Sequence, residues 1–361
     1  MLAMGLMSGT SLDGIDAALI ETDGEGLVRP VAFRGEPYSD AARAQLAAAT
    51  ALALTFDRPR ASPDLVAASE LIDRTHALAV HKLLREAGVA AGEVAVIGYH
   101  GQTVAHRPDR GWTWQIGDGA VLARATGITV VSDFRSADVA AGGQGAPLLP
   151  VYHAALAAGL DLPVAVLNLG GVANITFIGT DGTIVAFDTG PANGLIDSWV
   201  EAETGARYDE GGALAAAGRV DETVLTGMLD HPFFELAPPK SLDRNDFTIQ
   251  PARGLAAADG AATLTAFTAA SVAEAIDRLP VRPRRLIVAG GGRHNPTMLR
   301  MIAERTGLRP EPSDTLGWNG DAMEAEGFAY MAARTLKGLP ISFPGTTGVA
   351  TALVGGMVNR V

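Results

Sequence analysis

The sequence predicts an α/β protein built from two copies of one unit, and three observations carry that expectation. Residues 5–16, G-L-M-S-G-T-S-L-D-G-I-D, set a Gly/Ser/Thr turn between apolar runs at 2–7 and 15–20. Residues 166–176, V-L-N-L-G-G-V-A-N-I-T, repeat that device of strand, glycine turn and strand near the start of the second half. A third glycine cluster, Gly290, Gly291 and Gly292, ends the apolar run 286–289 and precedes a helical pattern from Pro296. One glycine turn between strands is an ordinary hairpin, but two, each opening a half-chain of similar size, read as a duplication.

Each element has its own signal. Apolar strands are expected at 2–7, 15–20 and 28–33, then alanine-rich helices at 40–53 and 63–87. In the second helix Leu65, Ala68, Leu71, Ile72, Thr75, Ala79 and Leu83 recur near helical period, and Gly88 stops it. Buried parallel strands at 94–99 and 128–131 enclose a helix at 118–126. After Ala140 the order begins again, with strands at 164–169, 172–178 and 183–187, helices at 194–204 and 264–279, and a strand at 286–289. Residues 230–255, rich in Pro and charge, read as a long surface connection, and the alanine-rich stretch 255–262 reads as helix. A helix within 317–332 turns Met323, Phe328 and Met331 inward, and a last helical run is expected at 349–358, packing on the first domain. Three strands followed by alternating helices and strands is the ribonuclease-H-like order. The expectation is therefore two ribonuclease-H-like domains around a nucleotide cleft, residues 1–131 plus 345–361 and residues 132–344.

Composition narrows the class. A chain of 361 residues with 48% hydrophobic content can bury a core in each of two domains. Its net charge of -12 has no basic cluster beyond short pieces such as 282–285, which argues against nucleic acid as a partner. An acidic protein that holds phosphates must do so locally, with backbone amides, a few cations and a metal ion. The absence of cysteine excludes disulfides, thiolate catalysis and cysteine-ligated metal. No apolar run approaches a membrane span, and the amino terminus has no basic segment before an apolar stretch, so a cytoplasmic protein with no membrane partner is expected.

Small residues at Ser8, Gly9, Thr10, Ser11 and Gly14 let backbone amides approach an anion, so the segment Gly9, Thr10, Ser11, Leu12, Asp13, Gly14, Ile15 and Asp16 is a candidate phosphate-binding hairpin. No Lys follows the glycines, and the spacing is not that of a dinucleotide fingerprint. Gly170 and Gly171 are its counterparts in the second half, and Gly290 to Gly292 offer a flat backbone surface for a base and ribose. In F-D-T-G-P-A-N, Asp188 stands at the end of a buried strand with Thr189 and Asn193 close by. A carboxylate there is either a turn or helix-cap residue or a partly desolvated general base, and the neighbouring Thr189 and Asn193 favour the base. The segment 98–103 brings His100, Gln102 and Thr103 to the same ligand face, with His100 either structural or functional. Arg135, in the polar and glycine-rich stretch 132–148, can grip a substrate carboxylate or bridge Asp133 or Asp138. Glu324 and Glu326 fall in a first helical turn beside Asp321, where Glu326 would complement the helix dipole.

Taken together, M-S-G-T-S-L-D-G-I-D, H-G-Q-T, D-F-R-S-A-D-V-A-A-G-G-Q-G-A-P-L, N-L-G-G-V-A-N-I-T, F-D-T-G-P-A-N and W-N-G-D-A-M-E-A resemble, in order and over the whole chain, the bacterial anhydro-N-acetylmuramic acid kinases. That family belongs to the actin-like, sugar-kinase and chaperone ATPases, whose first phosphate loop usually carries an Asp before the Gly-Thr pair; Met7 and Ser8 stand there in this chain. The resemblance implies an ATP- and Mg²⁺-dependent kinase that opens the 1,6-anhydro bridge with water and phosphorylates O6, in peptidoglycan recycling. It implies Asp188 as the base, Glu324 as an assistant from the sugar side, and His100, Arg135 and Asn193 toward the sugar, with Arg135 on its lactyl carboxylate. It also implies closure of hinged domains on the sugar. Family members are often dimers. Another sugar or acid kinase on the same scaffold, or an ATP-dependent switch protein, are the alternative expectations.

Overall fold

A computed structural model describes residues 1–242 and 246–361. The chain forms two compact units, Met1–Ala158 with Ala322–Val361, and Gly159–Asp321. The boundaries therefore fall at 158/159 and 321/322, and residues 132–158 and 322–344 belong with the first unit rather than the second. The cause is packing: the helix α12 (Met323–Leu336) lies on the first unit's strands.

The first unit opens with an antiparallel meander, β1 (Leu2–Ser8), β2 (Gly14–Thr22) and β3 (Val28–Pro37). β4 (Val94–Arg107) runs parallel to β1, β6 (Val130–Ser132) parallel to β4, and β12 (Met357–Asn359) antiparallel to β6. β5 (Trp112–Ile116) folds back on the second half of β4, so the strand expected to stop at Tyr99 continues through His100, Gln102 and Thr103. The sheet order is β12-β6-β4-β1-β2-β3. One face carries α1 (Asp40–Ala53) and α2 (Pro63–Ala87), each opened by a serine cap, Ser39 and Ser62, and α2 closed by Gly88 at φ 67°. The helices α3 (Gly119–Thr126), α4 (Ser136–Ala140) and α5 (Pro150–Ala157) complete the unit with α12 and the turn α13 (Pro344–Thr347).

The helix expected at 349–358 does not form. Gly355 and Gly356 interrupt it, Gly356 at φ 90°, and the chain passes into β12 instead. α12 also differs from the expectation of one inward face: Met323, Ala325, Glu326, Phe328, Tyr330 and Met331 are all buried. It is sandwiched, with Ala325 and Ala329 against β1 and Gly327 against Leu149 and Tyr152 of the α5 region. On the sheet side its backbone rests on two glycines paired across the strands, Gly5 and Gly98. A Cβ on Gly5 would sit 1.7 Å from the carbonyl oxygen of Ala325, and one on Gly98 2.0 Å from that of Phe328.

The second unit repeats the plan. β7 (Val164–Leu169), β8 (Val172–Ile178) and β9 (Ile184–Pro191) form the meander, β10 (Arg285–Ala289) runs parallel to β7, and β11 (Pro310–Pro312) parallel to β10. Its order, β11-β10-β7-β8-β9, is that of β6-β4-β1-β2-β3, so each unit shows the ribonuclease-H-like arrangement. Around it lie α6 (Asn193–Thr204), α7 (Ala213–Ala217), α8 (Glu222–Leu229), α9 (Pro232–Glu235), α10 (Ala257–Asp277) and α11 (Pro296–Thr306). The core gathers Phe177, Phe187, Trp199 and Phe267, and the buried threonines Thr265 and Thr268 of α10 return their hydroxyls to helix carbonyls. The connection expected at 230–255 is built of short turns around α9; its residues 243–245 lie outside the described residues. Among the described residues no helix is long and apolar enough to cross a membrane.

Candidate active site

The hairpin turn between β1 and β2 exposes Thr10, Ser11 and Asp13, with Gly9 and Gly14 half-buried. Leu12 turns its amide back onto the Gly9 carbonyl at 3.2 Å, in a left-handed conformation (φ 57°) unusual for Leu, and sinks its side chain into the core. Ile15 is likewise core, so Leu12 and Ile15 can offer a ligand only their backbone. Gly14 has a different reason from the one expected: a Cβ there would meet the Glu36 carbonyl oxygen of β3 at 2.3 Å. Asp16 lies within β2, opposite Gly35.

In the same unit Arg135 acts on both His100 and Glu324. The Arg135 guanidinium donates to the Gly145 carbonyl at 2.8 Å and to Nε2 of His100 at 3.1 Å. His100 is fully engaged: its Nδ1 is 3.0 Å from the Gly101 carbonyl, which requires the proton on Nδ1 and leaves Nε2 as the acceptor. Burial and the adjacent Arg135 charge hold its pKa well below the usual histidine value, so it stays neutral. His100 thus orients Arg135, while Asp133 accepts from the Ser136 amide and Asp138 reaches Arg135 only through its charge. Asp138 instead shapes the glycine segment, accepting from the Gly145 amide at 2.6 Å and the Thr347 hydroxyl at 2.5 Å. Burial raises the Glu324 carboxyl, with Arg135 pulling it partly back. Glu326 is no solvated dipole partner: it is 3% exposed and accepts from the Tyr152 hydroxyl at 2.7 Å.

In the second unit a polar row crosses the sheet. Asn168, Asn174 and Asp188 are register partners on β7, β8 and β9, each partly accessible, beside the buried Leu167, Ile175 and Phe187. Directly opposed residues share a sheet face, so these three point the same way. The segment 240–242 holds Asp188 twice, through the Asp188 amide to the Lys240 carbonyl at 2.9 Å and the Leu242 amide to Oδ2 at 2.8 Å. Desolvation raises the Asp188 carboxyl to about 7, against the lowering effects of the Leu242 bond and of Lys240. Thr189 and Asn193 do not partner Asp188; their side chains go to the Ala173 and Leu169 carbonyls. Lys240, missed in the sequence, is buried with Nζ on the Phe233 carbonyl and 4.1 Å from that ring, its pKa lowered by burial to about 8.

Gly170 and Gly171 meet the start of α6: their carbonyls accept the amides of Ala192, Asn193 and Gly194 at 3.0 to 3.1 Å. Those glycine carbonyls therefore replace a side-chain cap, and Asn193 braces the turn. Gly290 and Gly292 are packing glycines against Asn168 and Leu169, whereas a Cβ on Gly291 would meet only Asn193 Nδ2, at 4.0 Å. Arg293, also unforeseen, fastens this cluster by donating to the Gly290 carbonyl and pairing with Asp314 and Asp321.

Two ribonuclease-H-like units, each with a glycine hairpin between its first two strands, define an actin-like ATPase or sugar-kinase fold. The Acidaminococcus fermentans (R)-2-hydroxyglutaryl-CoA dehydratase component A shares it, with a TM-score of 0.50 at 12% identity over 93% of this chain and 99% of that one. The chain belongs to the anhydro-N-acetylmuramic acid kinase family, whose model matches residues 1–360. Relatives of that name from Rhizorhabdus wittichii, 69% identical over 100% of this chain and 99% of theirs, and Zymomonas mobilis, 53% identical over 100% of both, agree.

Proposed function

We propose that this kinase takes ATP and 1,6-anhydro-N-acetylmuramic acid, opens the anhydro bridge with water and phosphorylates the freed O6, yielding N-acetylmuramic acid 6-phosphate and ADP in the cytoplasm. The observation that carries this reading is Asp188, a partly accessible carboxylate whose Oδ2 is tied to the Leu242 amide while burial lifts its pKa to about 7. A group poised near neutrality suits proton abstraction. In this reading Oδ1 takes a proton from water as its oxygen bonds to C1. The C1–O6 bond breaks with its electron pair on O6, and O6 attacks the γ-phosphorus as ADP leaves. Asn168 and Asn174 flank the base, Glu324 assists at the sugar, and Arg135, pre-aimed by His100, receives the lactyl carboxylate.

The amides of Gly9, Thr10 and Ser11 and the hydroxyls of the exposed Thr10 and Ser11 hold the phosphates, and Gly291 lets the base and ribose approach the backbone. Among the described residues no group of three His, Cys, Asp or Glu forms a metal cage. That fits Mg²⁺ arriving with the phosphates, since such an ion needs one or two carboxylates, and Asp16 would supply one. When bound, the ion neutralises charge on the transferring phosphoryl group.

ADP release measured with and without sugar tests the reading. ADP is expected with the anhydro sugar and not with glucose or unmodified N-acetylmuramic acid. Turnover on an ordinary hexose would make it another sugar kinase, and sugar-independent hydrolysis would make it a switch. Arg135→Lys keeps the charge but loses the planar fork, so the KM for the anhydro sugar should rise about tenfold or more while that for ATP stays within about twofold.

A further inference from the structure

The geometry points to Gln102 as a positioning residue for ATP, acting through the phosphate-binding turn; this rests on the reading of Gly9 to Ser11 as that turn. Gln102, expected with His100 and Thr103 on the ligand face, is fully buried, as is Ser8, with Tyr38 nearly so. β4 reaches this point through a bulge. Leu6 pairs with Tyr99 and Ser8 with Gln102, so two steps on β1 match three on β4. The extra residue is taken up at Gly101, which adopts φ 70° and whose Cβ would meet the Ile116 carbonyl oxygen at 2.4 Å. Without the bulge, strand alternation would carry residue 102 off the Ser8 register.

Donors and acceptors then run one way. Ser8 donates its only hydroxyl proton to Oε1 of Gln102 at 2.5 Å, so Tyr38, 2.9 Å from Ser8 Oγ, must be the donor there. Burial lifts the Tyr38 phenol to about 12, which keeps that proton in place. The amide Nε2 of Gln102 donates to the Gly9 carbonyl at 3.2 Å and to the Thr103 carbonyl at 3.3 Å. The reverse amide orientation would set Oε1 against the Gly9 carbonyl oxygen, so the network admits one arrangement. Gly9 O also receives the Leu12 amide that closes the turn. Gln102 thus anchors the carbonyl onto which the Leu12 amide closes the turn, and a chain of buried donors sets the backbone that leads into the exposed Thr10 and Ser11. The Ser8 hydroxyl proton is spent on this brace.

Gln102→Met keeps the volume and removes the amide. It is expected to raise the KM for ATP and the dissociation constant of a nonhydrolysable ATP analogue about tenfold, the loss of one buried hydrogen bond, with the KM for the anhydro sugar within about twofold. A merely structural role would lower the melting temperature and the active fraction without moving the ATP KM selectively. Ser8→Ala, which frees Oε1 but keeps the amide, should raise the ATP KM about threefold and stands in if Gln102→Met does not fold. Gly9→Val, whose Cβ meets only Ser11 Oγ at 3.6 Å, blocks the turn directly. If Gly9→Val weakens ATP and the Gln102 and Ser8 variants do not, the positioning role is wrong. If Gly9→Val leaves ATP binding intact, the assignment of the turn to phosphates is wrong.

Discussion

Asp188→Asn is expected to cut kcat about 10²- to 10⁴-fold while leaving the binding of ATP and of the anhydro sugar within about twofold. Asn keeps the acceptor for the Leu242 amide and loses only the basic oxygen, so the effect belongs to proton transfer rather than to the shape of the strand end. The wild-type rate should climb with pH as the carboxyl ionises around 7, and the residual rate of the variant should not. Stability runs the other way. A carboxyl raised from its ordinary 3.8 favours the fold while protonated, and that contribution is lost as pH rises through about 7. Asp188→Asn should therefore be at least as stable as wild type at pH 8, measured by thermal unfolding. A variant both inactive and unstable there would indicate that Asp188 holds the strand end together.

Gly98→Val is expected to have the largest effect on stability, about 3–5 kcal/mol by denaturant unfolding. At Gly5 and Gly98 an added Cβ meets helix backbone, at 1.7 and 2.0 Å, and backbone cannot rotate out of the way as a side chain can. Relief requires α12 to lift from the sheet, which carries Glu324 with it and strips Ala325, Phe328 and Ala329 of their buried contacts. The control is Gly92→Ala: a Cβ there has nothing within 4 Å, so it should stay within about 0.5 kcal/mol of wild type. Equal, small effects of Gly98→Val and Gly92→Ala would contradict the close approach of helix and sheet.

What could be read from the sequence was local. The bounds of α1 and α2 agree with their predicted ranges because serine caps, helical period and Gly88 all act within one turn of the residues they punctuate. The duplication was legible because each glycine hairpin joins neighbouring strands. Long-range features were not. The run 349–358 has a helical look until its two glycines are weighed against pairing with β6, a partner more than two hundred residues earlier. His100 to Arg107 become strand because β5 folds back on them. The row Asn168, Asn174 and Asp188 exists through register across three strands, and neither Lys240 nor Leu242 carries any mark in the sequence that ties it to Asp188. Single residues such as Glu326 misled for the same reason: an acid in a first turn looks solvated until the burial of both sides of α12 is known.

In the proposed reaction Asp188 directs water at C1 while the bridge oxygen becomes the phosphate acceptor. Mass spectrometry of the product formed from ATP and the anhydro sugar in ¹⁸O-labelled water tests it most directly, with preformed product in the same water as the control for exchange. The prediction is one ¹⁸O on C1 and an unlabelled phosphoryl group joined through the original bridge oxygen. Label in the phosphoryl group, or a phosphorylated sugar that has gained no oxygen from water, would contradict it.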